Sequence, residues 1–206
     1  MSRSAAAAAK RPGRGRPSTG ARERILAAGL EVLKAEGYAG LTVAKVAAAS
    51  GENKALIGYH YGSKQGLVAA VGREVGDSIT NEVVSRIGEP GSVDDVVAGV
   101  MSGVWAVLER DERIARVYFD LTAVSVVEPG VREVMREIRA GWREVLVDLL
   151  QRADPALSPA EARAADLLIR AGSEGLALER IEAGDSADLR RARRLFERAA
   201  VGAIKP

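Results

Sequence analysis

The sequence predicts an all-α protein: an N-terminal three-helix unit followed by a larger helical domain. Three observations predict it. From residue 21 onward, apolar side chains recur at spacings of three and four. Residues that start and stop helices bracket those stretches. No alternating apolar–polar run of useful length is present, and no internal repeat of about 20–50 residues. The 206 residues can bury a sizeable core, as one large domain or two small ones.

Residues 1–20, MSRSAAAAAKRPGRGRPSTG, are an alanine run followed by alternating Arg, Gly and Pro. They offer little to bury, and Pro12 and Pro17 interrupt regular structure, so a disordered basic arm is expected. Ile25, Ala28, Val32 and Leu33 share one helical face, and Gly37 stops that helix near Glu36. Thr42 is the N-cap of a short second helix whose inner face is Val43, Val46 and Ala47, ending at Ser50-Gly51. A third short helix is expected from about Asn53 to Tyr59, and Ser63 caps a fourth beginning at Lys64. Further on, Val131, Val134, Met135, Ile138, Trp142, Val145 and Leu149 form one stripe, with Pro129 in the first turn. Ser158-Pro159-Ala160-Glu161 reads as a capping box opening a helix that reaches about Ala183. A last helix runs from Asp185 to Ala203, with Leu189, Ala192, Phe196 and Ala199 in register. The domains expected are the arm at 1–20, the three-helix unit at 21–67 and the larger helical domain at 68–206.

Composition excludes several classes. Without cysteine there is no disulfide, thiolate metal site or cysteine nucleophile. With His60 as the one histidine, His-rich metal sites are excluded and a Ser-His-Asp arrangement would depend on that residue alone. No carboxylate pair, phosphate loop or nucleophile–base pair stands out, so no catalytic residue, metal or cofactor is expected. The uncharged stretch Val96–Leu108 has 13 residues and contains Gly99, Ser102 and Gly103, against about 20 apolar residues for a bilayer span. Arg11, Arg14 and Arg16 lead into polar sequence, not into the apolar run of a secretory signal. A soluble, cytoplasmic protein with no membrane partner is expected.

The net charge of +2 conceals an asymmetry: residues 1–72 carry 11 basic and four acidic side chains, the remainder 19 basic and 24 acidic. A polyanion-binding head on a solvated body fits this, and so does a charged tail, since seven of those 11 precede Ile25. The stretch Leu41–Lys64, LTVAKVAAASGENKALIGYHYGSK, is more specific. Two short helices joined at a glycine form a helix-turn-helix, whose second helix can enter a DNA major groove. Ala44, Ala47, Ala48 and Ala49 allow close packing, Leu56 and Ile57 anchor the second helix, and Asn53, Lys54, Tyr59 and His60 supply polar reach. Lys64, in the first turn of the next helix, is placed to clamp a phosphate.

From Arg24-Ile25-Leu26-Ala27-Ala28 through Gly37-Tyr38, Thr42-Val43, Val46-Ala47, Gly51 and Ile57 to Tyr59-His60-Tyr61-Gly62-Ser63-Lys64, the sequence resembles the TetR family of bacterial transcription regulators. It departs from the family's common pattern at Ser50, Glu52 and Gly58, the last replacing a tyrosine that often contacts DNA. The resemblance implies that Thr42 and Lys64 bind backbone phosphates, that Lys54, Ala55 and Tyr59 face base edges or thymine methyl groups, and that His60 approaches a phosphate. For His60, packing on its own helix is the other reading; Tyr61 is expected to plug the small core. Arg14 and Arg16 flank a glycine in an extended arm, suited to an A·T-rich minor groove or to a solvated basic tail alike.

The resemblance further implies that the later helices dimerise and enclose an effector cavity. Leu168, Ala171, Gly175 and Leu178, with Leu189 and Phe196, are the expected homodimer surface, an intrachain contact being the alternative. The expected effector-pocket residues are Met101, Trp105, Tyr118, Thr122, Ser125, Ile138 and Trp142, with Leu121 and Met135 as further candidates and Arg139 and Asp120 as orienting charges. The partners expected are double-stranded operator DNA of pseudo-palindromic sequence and a small-molecule effector that releases it. A regulator of this kind that represses is the first reading; a sequence-nonspecific DNA-compacting protein and an activator of the same fold are the alternatives.

Overall fold

The computed structural model describes residues 20–205. Those residues form eight helices: α1 (Ala21–Gly40), α2 (Val43–Ser50), α3 (Lys54–Tyr61), α4 (Lys64–Ile87), α5 (Val93–Ser125), α6 (Pro129–Ala153), α7 (Pro159–Ala183) and α8 (Ala187–Ile204). Among the described residues no helix is long and apolar enough to cross a membrane.

Local chemistry accounts for the helix ends. Thr42 Oγ1 accepts the Lys45 N–H at 3.2 Å, and Asn53 Oδ1 accepts the Leu56 N–H at 2.8 Å. Ser158 Oγ accepts the Glu161 N–H at 3.3 Å, while Glu161 Oε2 accepts the Ser158 N–H at 2.8 Å, a complete capping box. α3 runs two residues beyond its expected end, to Tyr61, because Gly62 and not Tyr59 terminates it. The first helix is interrupted where expected: Gly37 has φ 68°, a conformation that favours glycine, and a short turn continues to Gly40.

The three-helix unit and the body share a core. Ile25, Leu33, Leu41, Val46, Ile57 and Leu67 pack continuously onto Val71 and Val75 of α4, Leu121 of α5 and Met135 of α6. The expected boundary at residues 67 and 68 therefore falls inside α4, with no linker. A second core joins α4, α5, α6, α7 and α8 around Val83, Val96, Leu146, Ile169 and Ile204. Two glycine pairs set the depth of α4. Gly99 and Gly103 of α5 meet Ile87 and Val83, and Gly72 and Gly76 of α4 meet Val134 and Ile138 of α6.

α5 is broken at Asp111, whose backbone is extended (φ −158°, ψ 90°). Its carboxylate accepts from Arg113 Nε at 3.0 Å and lies 3.1 Å from Lys34 Nζ of α1. The Arg113 guanidinium, with Lys34, holds this carboxyl at about 2, below its ordinary 3.8. A folded pKa below the unfolded one means that the stabilisation is complete above about pH 4 and is lost as pH falls toward 2. Asp111→Asn is expected to flatten the acid limb of the stability–pH curve over that window. Parallel acid limbs in urea titrations of the two proteins would contradict it.

Candidate nucleic-acid interface and ligand cavity

α3 is held by its inner side and its ends, which leaves its outer side bare. Ile57 is 1% exposed, and Leu56 packs against the same core. The Tyr61 hydroxyl donates to the Arg22 carbonyl at 2.7 Å and ties the end of α3 to the start of α1. The turn before α3 is braced by Glu52, which accepts from Arg24 Nε at 3.1 Å. Lys54, Ala55, Gly58 and Tyr59 form the outer side, with Tyr59 76% exposed. A Cβ at Gly58 would meet nothing within 4 Å, so the glycine leaves a notch between Ala55 and Tyr59.

The remaining expected DNA contacts occupy less open places. Thr42 is exposed but its hydroxyl oxygen caps α2, and Asn53 likewise commits Oδ1 to the cap of α3. His60 is half-buried, its ring edge-on to Tyr59 at 5.2 Å and Tyr61 at 6.4 Å between centroids, and its Nε2 is buried. Lys64 donates to the Tyr38 carbonyl at 3.3 Å and sits 4.5 Å over the Tyr38 ring, which keeps two ammonium hydrogens for another acceptor. Arg14 and Arg16 of the expected arm lie outside the described residues.

A cavity opens between α4, α5, α6 and α7, with about 670 Å³ of space including its mouth. Tyr118, Ile138 and Trp142, of the expected pocket residues, line it. Met101 and Trp105 do not: they pack behind the wall residues Leu108 and Ala115, together with Leu189, and Trp105 carries the Arg193 guanidinium 4.8 Å from its ring. Thr122 and Ser125 also fall off its wall, the Ser125 hydroxyl donating to the Thr122 carbonyl at 2.6 Å. Leu121 and Met135 are fully buried in the core shared with the three-helix unit.

Arg139, Arg170, Ser173 and Glu174 supply polar atoms to the wall. The last three had a signal in the sequence. Arg170 and Glu174 are charges four apart, interleaved with the inward Ile169, Ser173 and Ala177 of α7. The Tyr118 hydroxyl donates to Glu174 Oε1 at 2.7 Å, and burial, reinforced by that carboxylate, pushes the phenol well above its ordinary pKa. Asp120, which follows Phe119 of the wall, instead accepts the Tyr38 N–H at 2.5 Å, at the break in α1.

The exposed large apolar side chains of the last two helices are Leu167, Leu168 and Leu178 on α7 and Leu195 on α8, with Ala171 and Gly175 between those of α7. Leu189 corrects the expected surface, and Phe196 is only half-exposed on it. Leu189 is 4% exposed in the core with Met101 and Trp105, and Phe196 lies over Gly172, where even a Cβ would approach its ring to 2.1 Å. The helical register places them on one stripe, but α8 docks by that stripe, which leaves Leu195 outside.

Two family models match this chain. Residues 25–71 match bacterial regulatory proteins of the tetR family, and residues 95–204 match the C-terminal domain of BetI-type transcriptional repressors. The chain belongs to the TetR family. It is a transcriptional regulator with a DNA-binding helix-turn-helix, and not an enzyme. No curated protein sequence matches this TetR-family chain. Solved structures match nearly all of it. A Streptomyces coelicolor A3(2) protein assigned as a transcriptional regulator is 26% identical, with a TM-score of 0.71 over 91% of this chain and 100% of that one. A Pseudomonas aeruginosa PAO1 protein gives 0.74 at 20% identity over 93% of each chain. The multidrug binding protein EbrR in complex with imidazole gives 0.68 at 22% identity, over 86% of this chain and 93% of that one.

Proposed function

We propose that two copies of this TetR-family regulator, joined through α7 and α8, bind a pseudo-palindromic operator in the cytoplasm, repress the adjacent gene, and let go when a small molecule fills the cavity. One observation carries the reading: α4 both follows the reading helix directly and forms a wall of the cavity, through Gly76, Ile79 and Thr80. A ligand that spreads α4 from α5 moves the start of α4, and with it α3. On the α5 side, Tyr118 is in the wall while Asp120 holds the Tyr38 N–H. The two heads must meet half-sites about 34–36 Å apart, so a small change in their spacing shifts the population away from the bound form. Couplings of this kind are worth about 1–3 kcal/mol.

The repressing sign is supported by the BetI-type repressor description of the matching C-terminal model. Small-molecule control is supported by EbrR, whose structures hold imidazole and proflavin. The exposed leucines of α7 and α8 support the dimer.

The test is fluorescence anisotropy on the chain's own upstream DNA with excess bulk DNA present. The wild-type chain is expected to keep its binding and to protect a two-fold symmetric footprint. Lys54→Ala is expected to cost about 1–3 kcal/mol and to relax preference at one base pair per half-site. Binding that bulk DNA abolishes, or a Lys54→Ala variant with wild-type affinity and preference, would overturn this reading.

A further inference from the structure

We infer that the cavity is built for an anion: a small molecule with an apolar body and a carboxylate-type head seated against Arg139 and Trp142. The inference rests on the cavity's being the effector site and names the charge of the effector.

The polar inventory of the wall is unbalanced. Its one carboxylate, Glu174, is already engaged: Oε1 accepts from the Tyr118 hydroxyl at 2.7 Å and lies 3.5 Å from Arg170 Nη1. Behind the wall, Asp166 is 1% exposed and lies 3.5 Å from Arg143 Nε. Three arginines thus face two carboxylates, and the one left over is Arg139. No carboxylate of the described residues lies within 4.0 Å of Arg139 in an ion pair; Arg139 Nη2 lies 3.4 Å from the neutral Thr122 Oγ1, and the guanidinium also neighbours the neutral Tyr118 hydroxyl.

The buried donors point the same way. Arg139 Nε, Arg170 Nε and Trp142 Nε1 are buried without an acceptor, and all three side chains line the cavity. Buried donors without acceptors are costly, and a buried cation without a counter-charge more so. A ligand carboxylate supplies both: its two oxygens match the planar guanidinium fork, and either one can also accept from the indole N–H. The remaining wall, including Ile79, Val104, Leu108, Phe119 and Ile138, is apolar and suits a hydrocarbon body. A cationic ligand would have to compete with Tyr118 and Arg170 for Glu174, and would bring its charge toward Arg139.

The test uses three probes with one body: 2-naphthoate, 2-naphthamide and 2-naphthylmethylamine. Their binding to the full chain is measured by calorimetry for wild type, Arg139→Gln and Arg139→Lys. Operator affinity is measured separately with each probe. Wild type is expected to bind the carboxylate about 10-fold or more tighter than the amide, and the amine most weakly. Arg139→Gln is expected to lose about 10- to 100-fold for the carboxylate with the amide unchanged, and Arg139→Lys to restore part of the preference. Tightest binding by the amine, a carboxylate affinity indifferent to Arg139→Gln, or no binding of any probe overturns the inference. If the carboxylate binds as expected and operator affinity does not change, the anion site stands and effector release falls. If only the amine releases DNA, effector release stands and the anion site falls.

Discussion

Ile57→Ala is expected to destabilise the chain by about 2–5 kcal/mol and to abolish operator binding under conditions where the wild type is saturated. Ile57 is 1% exposed and joins α3 to Ile25, Leu41, Val46 and Leu67. An eight-residue helix has no stability of its own in water, so α3 keeps its shape and its angle only through such anchors. Removing the side chain opens a cavity beneath the helix proposed to enter the groove. For a chain of this length the melting temperature should drop by roughly 4–20 °C at fixed protein concentration. An unchanged melting temperature with an intact footprint would show that Leu56 and the Tyr61 hydroxyl suffice to orient α3.

Gly103→Ala is expected to destabilise by about 1–3 kcal/mol, although alanine is the better helix former by about 1 kcal/mol. A Cβ at Gly103 would lie 2.5 Å from the Val83 Cα and 2.8 Å from Val83 Cγ2, so α4 and α5 would have to separate along their seam. Gly141, exposed on α6 with nothing within 4 Å of a Cβ, is the matched control. Gly141→Ala is expected to raise stability by up to about 1 kcal/mol. Opposite signs at the two positions in urea titration identify close helix approach as the cause. Equal signs would mean that α4 yields without cost.

The parts legible in the sequence were those governed by neighbours within one helical turn. The caps at Thr42, Asn53 and Ser158, the break at Gly37 and the inward residues Ile25 and Ile57 are local matters of backbone donors and of angle around one axis. The exposure of Lys54, Ala55 and Tyr59 was legible for the same reason: in a short helix anchored by Leu56 and Ile57, the opposite side has to face out.

The cavity was only partly legible, because helices remote in the chain build it. Tyr118, Ile138 and Trp142 could be picked out by their size and spacing, but their spacing could not separate them from Met101 and Trp105, which the structure packs into the core behind the wall. Nor could it show that Glu174, beside Arg170, takes the Tyr118 hydroxyl across 56 residues of chain.

Residue order alone thus settled the helical class, the caps at Thr42, Asn53 and Ser158 and the exposed side of α3, since each depends mainly on contacts no more than four residues apart. Which stripe of α8 turns inward, why Leu195 and not Leu189 is outside, and which arginine is left without a counter-charge were settled by how the helices dock. Docking depends on the fit of whole faces, at positions such as Gly103 against Val83 and Gly172 against Phe196, and periodicity along one helix carries no information about its partner's shape.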